Sequence, residues 1–526
     1  MTTSTAPAKR PTFGHLRKPR KAGLNSLSFG ATALLFLGVL GFIVASLFPG
    51  LGLLAAIVWL LGCVVLALLL QLRSADELTL LQRAARRLTF RSARGSGANL
   101  YRSGLLGVLP SRAAQLPGLL ADTELVTAWD SYGREFALVH HQATGDHVAV
   151  FAAEPDGSAL VDAWEIDHRV AYWGAVLATF GDEPGLAAAA VTIESAPDPG
   201  HRLARAVENA IEPGSPPIAQ AMLREVVARY PEGSAMIRGY IALTFTAVPR
   251  PGARKRSSEE IARELASRLP KLSDRLVGAG TGLVRPLTAG ELAEVVHVAY
   301  HPGKASVIEE VRARGEDPGL DWSEVGPIAH DNRWDHYVHD DGVSTTWQMT
   351  APPRGTFSSD VLSDLLAPHR DIPRKRVTML FETVPADRAA DIVQKDLNDA
   401  EFRASSSVRP SARVRADARA ADNAADAEAA GAGVVNVGLL VTATVLDPGL
   451  RPGEQISRRN RNRSREERLA RAADDAVAGV DSLSGAARVR LRKLYASQDA
   501  AFAAALPIGL NLAKHLRVPA ELREAM

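Results

Sequence analysis

The sequence predicts an α+β protein: an N-terminal two-helix transmembrane hairpin followed by ferredoxin-like α/β sandwich units in the cytosol. Three observations carry this reading. No charged residue stands between Lys21 and Arg73, and two apolar runs of 20 residues, Phe29–Phe48 and Leu53–Leu72, lie inside that stretch. A helix of ~20 residues matches the ~30 Å hydrocarbon core of a bilayer. Beyond residue 134, β-branched runs alternate with runs of helical periodicity, and this succession occurs once before and once after Trp334.

Pro49-Gly50-Leu51-Gly52 supplies turn chemistry between the apolar runs, enough for a tight helical hairpin. A cleaved signal peptide is the rival reading, but its apolar region would be ~7–15 residues and no second run would follow. Gly38 and Gly41 suit close helix packing, and Cys63 is a small residue in the second run. Lys9, Arg10, Arg17, Lys18, Arg20 and Lys21 precede the hairpin, and Arg73, Arg83, Arg86, Arg87, Arg91 and Arg94 follow it. The positive-inside rule then puts both flanks in the cytoplasm. The expected organisation is a basic N-terminus (1–26), the hairpin (27–72), a basic juxtamembrane linker (73–133) and two cytosolic units (134–333 and 334–526). The localisation that follows is a bacterial cell membrane, crossed twice, with both termini cytoplasmic.

In the first unit, Arg134–His141 and Asp146–Ala153 read as a β-hairpin, Asp167–Phe180 as a helix and Ala188–Ser195 as a strand. Ser215–Tyr230 reads as a helix that buries Ile218, Met222, Val226 and Tyr230. A strand at Ile237–Val248 precedes a helix opened by a Ser257/Glu260 capping box and ending near Leu276. Gly282–Pro286 is a short strand and Thr288–Tyr300 a helix. In the second unit, Ser344–Ala351, Arg376–Glu382 and Val434–Leu446 read as strands. Asp360–Leu366, Ala386–Leu397, Arg463–Leu483 and Ala486–Asp499 read as helices. The Ala/Arg/Asp-rich stretch 405–433 is a solvated helix or a linker.

The chain has 526 residues, 46% of them hydrophobic, a net charge of only +2 and one cysteine. This excludes a polycation built for nucleic acid, a disulfide framework and a cysteine-based zinc site. The Ala- and Arg-rich bias points to a high-GC bacterial genome. A P-loop needs G-x-x-x-x-G-K-[ST]. The nearest approach is Gly303-Lys304-Ala305-Ser306, with Val298 in place of the first glycine and Ala305 in place of the hydroxyl residue. His330, Asp331, Asp335, His336, His339, Asp340 and Asp341 are crowded, imidazole with carboxylate is a zinc or iron ligand chemistry, and a metal-dependent enzyme is the reading from another class. Asp340-Asp341-Gly342 reads instead as a hairpin turn. No nucleophile elbow or paired-carboxylate motif occurs. No catalytic residue, cofactor or metal ligand is therefore assigned, and no enzyme is expected. Arg458, Arg459, Arg461, Arg463, Arg465, Arg468 and Arg471 form one basic run, and Arg250, Arg254, Lys255 and Arg256 a smaller one. Without interleaved aromatics these suit a solvated surface, the anionic membrane face or an acidic partner, and nucleic acid is not expected.

Two segments carry a resemblance. One runs from Trp334 through Thr345-Thr346-Trp347 and Pro352-Pro353-Arg354 to Asp360–Leu366. The other joins Val434–Pro448 to Leu494-Tyr495, Gln498 and Ala501–Gly509. Both resemble the region before the motor in the conjugative ATPases of type IV secretion systems, the CagE/TrbE/VirB family, over Arg134–Asn511. In that family a P-loop domain follows; here the chain ends at Met526. The resemblance implies an actinobacterial conjugation or secretion membrane protein, a membrane-hairpin subunit fused to a motor-less ATPase N-domain. Its expected role is a non-enzymatic inner-membrane scaffold that docks a separate P-loop ATPase, with other secretion-machine subunits as partners and an oligomeric state within the machine. The two-span type VII secretion membrane component has a similar architecture and is the alternative. Phe502, Leu506 and Pro507, with Arg458, Arg459 and Arg461, are the candidate partner interface. Phe502 and Leu506 share a helix face that either packs on its own sheet or presents a docking surface.

Overall fold

The structure, a computed structural model, describes residues 13–14, 29–47, 53–71, 80–104, 107, 114–155, 161–212, 214–229, 235–248, 254–351, 353, 356–406, 409–431, 433–449 and 461–515. The chain forms two compact units, Met1–Arg17 with Leu100–Asn511, and Lys18–Asn99 with Leu512–Met526.

The smaller unit contains α1 (Phe29–Leu47), α2 (Leu53–Gln71) and α3 (Leu80–Gly95). The two apolar helices pack closely. A Cβ on Gly38 would stand 2.8 Å from the Cβ of Cys63, and one on Gly41 2.3 Å from the Trp59 indole nitrogen. The expected membrane hairpin does not stand, and with it falls the two-span membrane localisation. Among the described residues no helix is long and apolar enough to cross a membrane. Each helix has 19 residues. The turn at residues 49–52 lies outside the described residues. The stretch 73–133, expected as a linker, contributes α3 and strands of the large sheet.

The larger unit opens with a ribbon of β1 (Phe13–Gly14) and, far along the chain, Thr356–Phe357. Then follow β2 (Leu100–Arg102), β3 (Thr123–Trp129), β4 (Glu135–His141), β5 (Asp146–Glu154), α4 (Ala163–Thr179), β6 (Leu186–Pro197), α5 (His201–Ala210), α6 (Pro217–Arg229), β7 (Ala235–Thr246), α7 (Ser258–Leu276), β8 (Leu283–Pro286), α8 (Ala289–Tyr300) and α9 (Ala305–Ala313). A second series comprises β9 (Ala329–Asn332), β10 (Tyr337–His339), β11 (Gly342–Ala351), β12 (Thr356–Phe357), α10 (Ser363–Leu366), β13 (Arg374–Thr383), α11 (Ala386–Ser405), α12 (Ala412–Ala429), β14 (Val435–Leu446), α13 (Arg461–Ala486), β15 (Arg490–Lys493) and α14 (Gln498–Ala504).

The expected pair of sandwich units is corrected to one continuous antiparallel sheet, of 13 strands among the described residues. Its order is β2-β9-β10-β11-β14-β13-β6-β7-β5-β4-β3, with β15 added to β11 and β8 to β5. The succession from β4 to α8 recurs from β10 to α14 with the same strand pairings: β4 and β10 pair β5 and β11, which in turn pair β7 and β14, and these pair β6 and β13. The two halves join edge to edge where β6 meets β13, from Lys375 opposite Ser195 to Glu382 opposite Ala188.

Strand alternation separates two faces of the sheet. On one, Phe151, Ile241, Leu243 and Phe245 meet Ile261, Leu265, Leu269 and Leu272 of α7. In the other half, Val377, Val441 and Val445 meet Ala476 and Val480 of α13. The capping box read from Ser257 and Glu260 opens α7, and Thr288 and Glu291 form a second one at α8. The other face is buried yet polar, and the segment from α14 to Leu510 covers it. Thr378 donates to the Ala505 carbonyl at 2.9 Å, Thr244 to the Gly509 carbonyl at 3.0 Å, and the Thr346 amide to Gln498 at 2.8 Å. The expected helix over Ala486–Asp499 is corrected to β15 and the start of α14. Arg488 and Ala496, both with positive φ, break the chain out of helix on either side of the strand.

Phe502 is fully buried among Tyr300, Tyr337 and His339, with ring centroids at 5.0–5.2 Å, and the Arg376 guanidinium lies over its ring. Phe502→Ala is expected to destabilise the larger unit by about 3–5 kcal/mol, read as a lower denaturant midpoint. Met222→Glu on α6 is expected to leave that midpoint unchanged.

Candidate functional site

The crowded His/Asp segment does not form a metal centre. Among the described residues no group of three or more potential ligands converges. His330 packs against Tyr101 and Tyr337. Asp331 pairs with Arg333, and Asp335 with His336. His339 is fully buried and bonds the Tyr300 carbonyl at 2.6 Å and Ser344 at 2.8 Å. Asp340 pairs with His301 at 2.9 Å and accepts the amides of Ile328 and Ala329. Asp341 accepts the Gly303 amide at 2.9 Å. The near-miss phosphate loop therefore holds a carboxylate of its own chain on the backbone donor a phosphate would need.

The C-terminal candidates lie inside the fold. Phe502, Leu506 and Pro507 are all buried, so these side chains pack on their own sheet. Arg458 and Arg459 lie outside the described residues, and Arg461 is the first residue of α13. Further along that run, Arg468 makes a two-point contact with Asp447 at 2.7–2.8 Å, and Arg465 reaches the same carboxylate at 3.7 Å. In the smaller basic run, Arg254 pairs with Glu260 and Arg256 with Glu264.

Where β6 meets β13, Glu194 is buried between Arg374 and Arg376. Burial pushes its carboxyl upward, but the two guanidiniums outweigh that and hold it down at about 2. Between these two arginines along β13, Lys375 is buried with its ammonium donating to the Ala367 carbonyl, and burial lowers its pKa to about 8.

Histidines gather at equivalent places in the two halves. His141, at the end of β4, bonds the Ile508 carbonyl at 2.9 Å, as His339 at the end of β10 bonds that of Tyr300. Each half thus bonds a carbonyl at or just beyond the end of an equivalent helix of the other, α8 or α14. His140 stacks on His147 at 4.3 Å, with Ser258 of α7 bonded to His147 at 2.9 Å, and His297 stacks on His301 at 4.3 Å. Sequence reasoning missed these pairs. Only His140 with His147 carried a signal, as facing residues of the predicted hairpin.

The surface feature suited to recognition is the α5–α6 hairpin. The apolar stripe of α6, expected to be buried, is exposed: Ile218 by 72%, Met222 by 64% and Val226 by 59%, while Tyr230 lies outside the described residues. Beside it runs an open groove of about 510 Å³ between α5, α6 and α9, lined by Ala204, Val207, Val227, Ala228 and Ala313 among charged residues. Two pairs of its rim charges meet, Arg224 with Glu208 at 3.2 Å and Arg314 with Glu310. His201 to Ser306 at 3.0 Å ties the hairpin to α9. No known protein family matches the chain, and no characterised protein shows significant similarity to it.

Burial holds the imidazoles of His147, His297, His330 and His339 down to about 4, aided at His147 by His140 and at His297 by His301. The unfolded chain takes up these protons near 6.5, the folded chain only near 4. Stability is therefore expected to be complete above pH 6.5 and to fall as pH drops from 6.5 towards 4, read as denaturant midpoints across that window. Removing one titrating imidazole, as in His147→Asn, should flatten the slope.

Proposed function

We propose that the chain is a non-enzymatic docking subunit of a bacterial secretion or conjugation machine, and that it engages a separate P-loop ATPase. The observation that carries this reading is the outward apolar stripe of α6, with Ile218, Met222 and Val226 more than half exposed at helical spacing. A contiguous exposed apolar stripe beside a groove suits helix-in-groove recognition of another protein. The partner is chosen by the resemblance of 134–511 to the region that precedes the motor in conjugative ATPases. The Gly303 amide, taken by Asp341, leaves the near-miss loop poorly disposed to hold a nucleotide.

The test is co-purification with a P-loop ATPase of a conjugation or secretion machine from the same genome. Wild type should bind. Met222→Glu should weaken binding about tenfold or more with an unchanged melting temperature. Binding that is absent in wild type, or unaffected by Met222→Glu, would sink the proposal. Purified protein should show no ATP turnover above background; saturable turnover lost in Lys304→Ala would instead make the chain an enzyme.

A further inference from the structure

The two halves of the large sheet end differently. In the second half the outermost hairpin strand, β9, is covered by β2: Leu100 pairs Asp331, Tyr101 pairs His330 and Arg102 pairs Ala329. Tyr101 stacks near His330 at 5.2 Å, and its hydroxyl donates to the Gln115 carbonyl at 2.8 Å. The equivalent strand of the first half is β3. It pairs with β4 on its inner side, and among the described residues no strand pairs its outer side. Its first residue is covered there, where the Trp322 indole donates to the Thr123 carbonyl at 3.2 Å.

Such an edge is a row of unpaired backbone donors and acceptors, and proteins ordinarily blunt it with lysine, proline, a bulge or a covering element. The β3 sequence, Thr-Glu-Leu-Val-Thr-Ala-Trp, contains no lysine, proline or glycine, and its register against β4 is unbroken. Glu124 is the one charged residue. Trp129 is 62% exposed at the end of the strand.

We propose that the open edge of β3 pairs antiparallel with β3 of a second copy of this chain, about a two-fold axis centred on Thr127. That register sets Leu125 against Trp129 and Val126 against Ala128. It leaves Glu124 outside the pair, so no like charges meet, and it leaves Thr123 to Trp322. Aromatic–aliphatic pairs of this kind stabilise adjacent strands. The same geometry already operates within the chain, where equivalent strands of the two halves, β6 and β13, join antiparallel edge to edge. A second copy presents an identical set of unpaired groups, which is the condition for an isologous contact. Five residues from each copy make a small interface, so the dimer is concentration-dependent.

The test uses the full chain. Sedimentation over a concentration series should show a monomer–dimer equilibrium. Thr127→Pro, which removes an edge N–H where a strand tolerates proline, should raise the dimer dissociation constant about tenfold or more. In a Cys63→Ser background, Thr127→Cys should give a disulfide-linked dimer under mild oxidation, and Glu225→Cys on α6 should not. The Thr127→Cys result stands whether or not the proline variant folds. A wild type that remains monomeric, a dimer indifferent to Thr127→Pro in a folded variant, or equal cross-linking at Glu225 would overturn the proposal. So would β3 amides that gain hydrogen-exchange protection only when another protein is added, since the occupant would then be that protein.

Discussion

The larger unit depends on the need to satisfy a buried polar sheet face. Thr192, Thr244, Ser344, Thr346, Thr378, Thr442 and Thr444 are all buried there. Some satisfy one another across strands: Ser344 with Thr444 at 2.7 Å, Thr346 with Thr442 at 3.0 Å, Thr192 with Thr378 at 3.1 Å. The rest of the demand is met by the chain from Gln498 to Gly509, which supplies carbonyls to Thr244, Thr378 and His141. A buried hydroxyl or imidazole left unpaired costs about 1–3 kcal/mol, so this segment cannot leave without several such penalties at once. Its contacts reach β4 and β7 of one half and β11 and β13 of the other, which makes it a tie across the line where the halves meet.

That line has its own constraint. Glu194 on β6 is neutralised by Arg374 and Arg376 on β13. Removing one partner of a buried ion pair is strongly unfavourable because the other is left charged in a low dielectric. The pair therefore specifies the register in which β6 and β13 meet, since a slip of one residue would send Glu194 to the apolar face. Repetition of the strand pairings, the reciprocal grips of His141 and His339 and the ion pair at the centre together make two similar halves behave as one sheet. The α5–α6 and α11–α12 hairpins are inserted at the same place in each half. Their exposed apolar side chains, Met222 on one and Phe402 on the other, lie outside this cooperative interior.

The predictions on Phe502, on acid sensitivity and on the α6 stripe rest on burial, and burial is where periodicity in the sequence ran out. The pattern Ile218, Met222, Val226 identified a helix and its shared face, and both are present. The expectation that this face is buried failed, because a hairpin inserted between β6 and β7 packs largely on itself and on α9. Phe502 and Leu506 show the converse. Their spacing left an interior and an exposed fate open, and the demand of the polar sheet face decided for the interior. At the His/Asp segment, crowding in sequence did not become convergence in space. Alternation along β9 and β10 and the turn between β10 and β11 send its side chains to different partners.

What the sequence determined by itself was local. The β4–β5 hairpin, the Ser257/Glu260 capping box, the two apolar helices of the smaller unit and most strands of the large sheet follow from interactions among residues a few positions apart, which are written in spacing and residue type. Only the tertiary structure decided that the two series of elements share one sheet, that Arg490–Lys493 is a strand on the side of β11 and that α1 and α2 are closely packed helices rather than established spans. It also decided that the near-miss loop is occupied by Asp341. Each of these depends on a partner tens to hundreds of residues away, such as Thr244 with Gly509 or Glu194 with Arg376. No local pattern records such a partner, because the hydrogen bond or ion pair exists only once the chain has brought both ends together.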